Sequence, residues 1–249
     1  MIIYKNNDEI ALMRKAGKIV GETLLLLEKE VKPGVTTAEL DRMAEEFITK
    51  HGAKPSFKGL YGFPSSLCIS VNEQVIHGFP GSYVLKEGDI VSIDCGACIN
   101  GFHGDAARTF PVGKVSSEAQ RLIDVTKESF FEGIKHAKIG NRLSDISHEI
   151  QSYVEAAGFS VVRDFVGHGI GRNVHEDPNV PNFGKSGRGP KLAEGMVLAI
   201  EPMVNAGTHK VRTLKDRWTV VTADSCLSAH YENTVAILSD GPEILTLIK

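Results

Sequence analysis

The segment Lys86-Glu-Gly-Asp-Ile-Val-Ser-Ile-Asp94 returns in register as Ala193-Glu-Gly-Met-Val-Leu-Ala-Ile-Glu201, 107 residues further on. Glu-Gly, an apolar pair, Ile and a closing carboxylate recur at matching places. Upstream, Lys32-Pro-Gly34 with Leu40, Ala44, Phe47 and Gly52 maps onto Lys138-Ile-Gly140 with Ile146, Ile150, Tyr153 and Gly158, at an offset of 106. Downstream, His103-Gly-Asp105 pairs with His230-Tyr-Glu232, the offset having grown to 127 by an insertion. One such match could be chance. Three in the same order make the chain two similar halves, about 1–115 and 116–249, facing each other across a pseudo-two-fold axis.

Inside the first copy, Asn100-Gly101 is a strong hairpin signal, because a type I′ turn needs positive φ at both central residues. A two-residue turn there sets Asp94 opposite Ala107 and Asp105 opposite Gly96. Side chains return to one sheet face every second residue. Asp94 and Asp105 therefore project from the same face as diagonal neighbours, roughly 7 Å apart at the backbone. Such a hairpin alone could hold a structural calcium.

The duplication turns that pair into four acids, Asp94, Asp105, Glu201 and Glu232, converging at the seam between the halves. Carboxylates so placed cannot all ionise without cations. Two divalent ions about 3.5–4 Å apart fit the charge. By symmetry Asp105 and Glu232 are equivalent bridging ligands, and Asp94 and Glu201 terminal ones. His168, in Gly167-His-Gly-Ile-Gly171, has minimal bulk around its imidazole and would complete the set. His175 follows seven residues later, and His77-Gly78 occupies the comparable place in the first half. Four acids and one imidazole suit Mn, Fe, Co or Zn.

Around these motifs, helical periodicity marks residues 8–27, a second helix N-capped by Thr37 and ending near Gly52, a third over 117–137 and a fourth over 143–157. Residues 67–71, 90–111, 161–166, 197–204, 218–222 and 232–238 read as strands, and 173–191 as a long Gly/Pro/Asn-rich site loop. Helices and strands mix without strict βαβ alternation, so the fold class is α+β. A net charge of −3 leaves no nucleic-acid footprint. The first residues lack a signal-peptide pattern, no apolar run approaches membrane-spanning length, and four scattered cysteines make no disulfide framework. The expected location is the reduced cytoplasm.

Asp94, Asp105, Gly-His168-Gly-Ile-Gly, Ile-Glu201-Pro-Met and Glu232, with Val71-Asn-Glu, His77-Gly-Phe-Pro and Asn-Gly-Phe-His-Gly-Asp105 in the same order, resemble the methionine aminopeptidases. The match runs from the first helix to the last strand. The interval from His168 to Glu201, and that before Trp218 to Glu232, leave no room for the type II insertion, so the resemblance is to type I. An N-terminal zinc-binding extension is also missing, as in the bacterial form. The resemblance implies a pita-bread (creatinase/aminopeptidase) fold: two pseudo-symmetric halves forming one catalytic domain over 1–249, with a central curved antiparallel sheet covered by helices. It implies release of the initiator methionine from nascent proteins when the second residue is small, by a metal-bound hydroxide attacking the scissile carbonyl. Two divalent ions (Co, Mn, Fe or Zn) would be held by Asp94, Asp105, His168, Glu201 and Glu232. Glu201 resembles the general base, and His77 and His175 the residues that contact substrate and steady the tetrahedral intermediate. Cys68, Phe57, Phe63 and Trp218 sit where the family lines its methionine pocket. Leu60 stands where relatives often carry Tyr, and Val174 where many carry Phe. The expected partner is the N-terminal methionine of a nascent, ribosome-proximal polypeptide, with no nucleic-acid or membrane recognition, and the family resemblance implies that the protein itself is a monomer.

Two other readings compete. A proline-specific peptidase of the same fold usually carries an additional N-terminal domain. A non-catalytic binding module would not need the complete acid and histidine set. His103 beside the hairpin turn reads as structural. Cys95-Gly-Ala-Cys98 is no metal or redox motif, because residues three apart on one strand face opposite ways and no second such pair exists.

Overall fold

The structure, a computed structural model, describes residues 1–248. Four helices alternate with groups of strands: α1 (Asn7–Glu30), α2 (Thr37–Lys50), α3 (Ser117–Ile134) and α4 (Leu143–Ala156). The strands of the first half are β1 (Lys54–Pro55), β2 (Leu67–Val71), β3 (Gln74–Ile76), β4 (Ile90–Ile99) and β5 (Phe102–Pro111). Those of the second are β6 (Ser160–Val161), β7 (Gly167–Gly169), β8 (Glu176–Val180), β9 (Val197–Ile200), β10 (Met203–Asn205), β11 (Val211–Thr213), β12 (Val220–Thr222), β13 (Ser228–His230), β14 (Asn233–Leu238) and β15 (Gly241–Ile244). All strand pairs are antiparallel.

The hairpin has the expected register. Asp94 faces Ala107, Gly96 faces Asp105, and Asn100 and Gly101 have φ of 52° and 77°. Its β4 edge pairs with β2 and β1, and α1 lies across its outer face. Helix and hairpin meet at two glycines: a Cβ on Gly104 would come 2.8 Å from the Gly17 nitrogen. Leu24, Leu27, Leu40, Ile48, Ile69 and Ile93 pack between helices and sheet in this half. In the other, Leu122, Phe130, Ile146, Ile150, Leu198 and Val235 pack in the same manner.

The repeated sequences make repeated turns. Gly34 and Gly140 have φ of 96° and 92°, and their N–H groups donate to Leu85 and Leu192 carbonyls at 2.8 and 3.0 Å. Gly88 and Gly195, at φ 92° and 84°, donate to Val112 and Ile237. Single β-bridges, Thr36 to Val84 and Arg142 to Lys191, occupy equivalent places.

Several boundaries differ from the sequence reading. The α2 cap is Thr36, which forms a capping box with Glu39, while the Thr37 hydroxyl donates to the Gly81 carbonyl instead. The strand expected over 161–166 stops at Val161, where Arg163 and Asp164 turn to solvent. The 173–191 loop contains β8, an edge strand that tolerates Pro178 because an edge has one unpaired side. The strand expected over 197–204 is two strands. Register is unchanged across the break, with Ile200 opposite Asn233 and Met203 opposite His230, and Tyr231 N–H still donates to the Pro202 carbonyl at 3.1 Å, but the bond is not returned. Pro202 has no N–H to contribute there.

At that break the second half bonds to the first. Glu232 N–H donates to the Ala107 carbonyl (2.9 Å), and Ala107 N–H to the Glu232 carbonyl (3.3 Å). On one flank Thr234 Oγ1 accepts from the Asp105 N–H and donates to its carbonyl, at 2.9 and 2.8 Å. On the other, Thr109 Oγ1 does the same for His230, at 2.9 Å each way. Hydroxyls, which both donate and accept, complete a seam that two backbones alone satisfy only at its centre.

Candidate metal centre

Each acid is delivered by a different stretch of this seam. Asp94 and Asp105 come from β4 and β5, Glu201 from the end of β9, and Glu232 from the start of β14. His168 lies on β7, beside β9. One ligand atom from each of Asp105, His168 and Glu232 lies within 4.8 Å of the other two, all three residues being buried. Glu201 closes the group: its Oε1 is 3.6 Å from His168 Nε2. The His168 Nδ1 donates to the Gly169 carbonyl (2.9 Å), which sets the tautomer and leaves Nε2 its lone pair.

Buried oxygens here lack partners. Asp94 Oδ1, Asp105 Oδ1 and Glu232 Oε1 have no hydrogen-bond donor among the described residues. Burial pushes the Asp94 carboxyl up to about 7 and Glu201 up to about 8. Asp105 and Glu232 rise well above the ordinary range, first by burial and then by the charges of their neighbours. Burial also lowers His168 to about 4, so its imidazole is neutral. Orphaned carboxylate oxygens beside a neutral imidazole are a donor set that fits divalent cations, which would replace the protons the acids otherwise retain.

A cavity of about 260 Å³ opens over the acids. Cys68, Phe57, Phe63 and Trp218 line it, as do Leu60 and Tyr61. Phe63 stacks on Phe79 (5.3 Å) and meets Trp218 edge-on (5.2 Å). Val174 packs into the same cluster. Gly96 explains how Phe57 reaches this position: a Cβ there would come 2.9 Å from the ring. His77 and His175 line both this cavity and a wider opening of about 530 Å³ that leads past Phe165 and Asn179. The His77 backbone has φ 58°, and burial, with His230 and His175 nearby, lowers its ring to about 4. The strand beside β4 is β2, with Cys68 opposite Asp94, so β2 rather than His77-Gly78 is the neighbour that β7 answers in the second half. His103, outside this cavity, bonds through Nδ1 to Ser56 Oγ at 2.8 Å.

The sequence reading gave no site role to Tyr61, which lines the cavity, to Phe79, which stacks behind Phe63, or to His230 beside Glu201. The His230 ring is buried, with Nε2 3.5 Å from Glu201 Oε2 and without a hydrogen-bond partner among the described residues. A signal for it existed: it lies two residues before Glu232 in a repeated motif, and a strand returns to one face at that interval.

Residues 11–239 match the model of metallopeptidase family M24. The chain is 77% identical to methionine aminopeptidase of Clostridium perfringens over 249 residues, all of both chains. It is 56% identical to methionine aminopeptidase 1 of Bacillus subtilis, again over 100% of each. The crystal structure of methionine aminopeptidase from Thermotoga maritima superposes with a TM-score of 0.98 at 47% identity, covering 100% of both chains.

Proposed function

The chain belongs to metallopeptidase family M24, among its bacterial type I methionine aminopeptidases with the pita-bread fold, and from that premise we propose how its own residues divide the work of removing an N-terminal methionine. The enzyme is a metal-dependent hydrolase. Two divalent ions, drawn from Co, Mn, Fe or Zn, would be held by Asp94, Asp105, His168, Glu201 and Glu232. The observation that carries this reading is the trio Asp105, His168 and Glu232, whose ligand atoms lie within 4.8 Å of one another beside unpartnered buried oxygens. Bound there, the ions supply Lewis acidity, lowering the pKa of coordinated water and balancing charge on the scissile carbonyl oxygen.

The remaining steps belong to side chains. Glu201, facing His168 and His230, takes a proton at its carboxylate and returns it to the leaving amine. His77 and His175, at the mouth, contact the substrate backbone and donate to the developing oxyanion. Phe57, Phe63, Cys68 and Trp218 enclose a single unbranched side chain, and a thioether packs well against aromatic edges. The polypeptide continues outward past His175 through the opening that His77 and His175 both line, where a small second residue would sit. The catalytic unit is one domain over residues 1–249, its pseudo-two-fold halves about 1–115 and 116–249. It acts in the cytoplasm, as a monomer, on nascent polypeptides near the ribosome. Among the described residues no helix is long and apolar enough to cross a membrane.

Turnover of Met-Ala-Ser and of a Gly-Pro dipeptide tests the reading, with metal-loaded and chelated protein side by side. Cleavage of Met-Ala-Ser that disappears on chelation and returns with added metal is the expected result. Cleavage of the proline substrate alone, or activity persisting after proven metal loss, would overturn it.

A further inference from the structure

His175 stands at the end of a short loop that the first residues of the chain hold from behind. Its neighbour Glu176 turns inward, where Lys5 Nζ donates to Oε2 at 2.7 Å, both side chains being 3% exposed. Lys5 is fixed in turn. Its N–H donates to the Gly195 carbonyl (2.8 Å), and its Nζ also donates to the Ile3 carbonyl (3.0 Å). The second oxygen of Glu176 accepts from the Asn173 N–H at 3.1 Å and so closes the loop on itself. Two glycines make the fit tight: a Cβ on Gly171 would come 2.4 Å from Lys5 Cε, and one on Gly195 2.6 Å from the Lys5 carbonyl oxygen. A second, more exposed pair, Arg172 to Glu9 at 3.2 Å, ties the start of the loop to the first turn of α1. In front, the His175 ring meets His168 edge-on, centroids 4.5 Å apart.

A buried ion pair gains little net stability, since desolvation offsets much of the attraction, but it does fix geometry. We propose that Lys5 and Glu176 are positioning residues for the reaction, a strap from the N-terminal segment that holds the 171–176 loop and so aims the His175 imidazole at the substrate. The inference rests on the reading of His175 as a substrate-contacting group. Neither residue lines the cavity over the acids, and only Glu176 borders the wider opening; Lys5 lines neither and acts through His175.

Kinetics and histidine NMR on metal-loaded protein test the strap. Lys5→Met lowers kcat on Met-Ala-Ser by about tenfold or more, with KM changed less, because misplacing a reacting group acts mainly on the chemical step. Glu176→Gln, nearly isosteric, acts in the same direction if Lys5→Met folds poorly, and Lys5→Arg restores most of the rate. In a His175→Ala background Lys5→Met has no further effect. Loss by the same factor in both backgrounds overturns the proposal. In zinc-loaded, ring-labelled protein, Lys5→Met broadens or splits the His175 resonance, identified by its absence in His175→Gln, and leaves His51 and His209 unchanged. A sharp, unshifted His175 signal would also overturn it. If His175→Ala itself leaves turnover intact while the resonance still broadens in Lys5→Met, the role given to His175 fails and the strap stands as a device that orders its ring.

Discussion

In the first half the two acids ride an unbroken hairpin of ten residues a side, with Asp94 and Asp105 on diagonal rungs. In the second half the matching ladder is cut at the acids themselves, and its register sets Glu201 level with Glu232. Upstream, the same copies superpose bond for bond in their glycine turns. The halves therefore agree where the chain only has to change direction and part company where the site is built. Glu232 exchanges both of its backbone bonds with Ala107 of the other half, and β7 brings His168 where β2 brings Ser70. Metal chemistry needs both halves at once, so selection acts on their junction, which has no reason to stay symmetric.

The most severe way to break the comparison is to remove one buried acid from each half. Asp105→Asn and Glu232→Gln are each expected to lower kcat/KM by roughly a thousandfold or more, the scale of losing preorganised electrostatic groups. Elemental analysis should find less metal per chain in both. A large loss in one and retention in the other would refute their equivalence. Next comes Glu201→Gln, which tests an acid that Asp94 mirrors in sequence. Its kcat should fall about 10²- to 10⁴-fold, the range for a general base, while folding is retained. Unchanged cleavage would remove Glu201 from that role.

Glycine substitutions then sharpen the scaffold side. Gly88 and Gly195 make the same turn, yet an added Cβ meets nothing closer than 3.9 Å at Gly88 and a backbone oxygen at 2.6 Å at Gly195. Gly88→Ala should cost about 1–2 kcal/mol, from the left-handed conformation alone. Gly195→Ala adds overpacking of about 1–3 kcal/mol. Denaturant melts would show whether that order holds. The smallest effect concerns Gly34 and Gly140, both open to solvent at positive φ. Their alanine variants should each lose about 1 kcal/mol and differ from one another by less than about 0.5.

Legibility in the sequence followed the same division. The hairpin register could be read because Asn-Gly admits one turn geometry, and register in a two-stranded ladder follows from the turn. The repeat could be read because Glu-Gly and Pro-Gly turns need positive φ, which few residues supply. The break at Glu201 could not: Val197 to Ile200 and Met203-Val204 are apolar on both sides of it, as a buried strand is, and only Pro202 hinted at the cut. Nor could β8, whose Glu-Asp-Pro-Asn composition is that of a loop and whose strand character comes entirely from pairing with β7. Of the residues around the cavity, those carried by the family motif were found. His230 was not: the period-two rule places it on the Glu232 face, but nothing local shows that Glu201 meets it there. The Lys5–Glu176 pair joins residues 171 apart, and nothing local announces a partner at that distance.

The reciprocal bonds between Ala107 and Glu232 have a mechanical consequence. The backbone that carries Glu232 is also the stitch that joins the two halves. Any opening between the halves at this point would break these bonds and part Glu232 from Asp105. Access must be arranged at the rim, by side-chain rotation of residues such as Tyr61, which is 76% exposed over the His175 ring. Such rotations take picoseconds to nanoseconds, against microseconds to milliseconds for a domain closing. An enzyme built this way meets each new chain end with its active site already assembled.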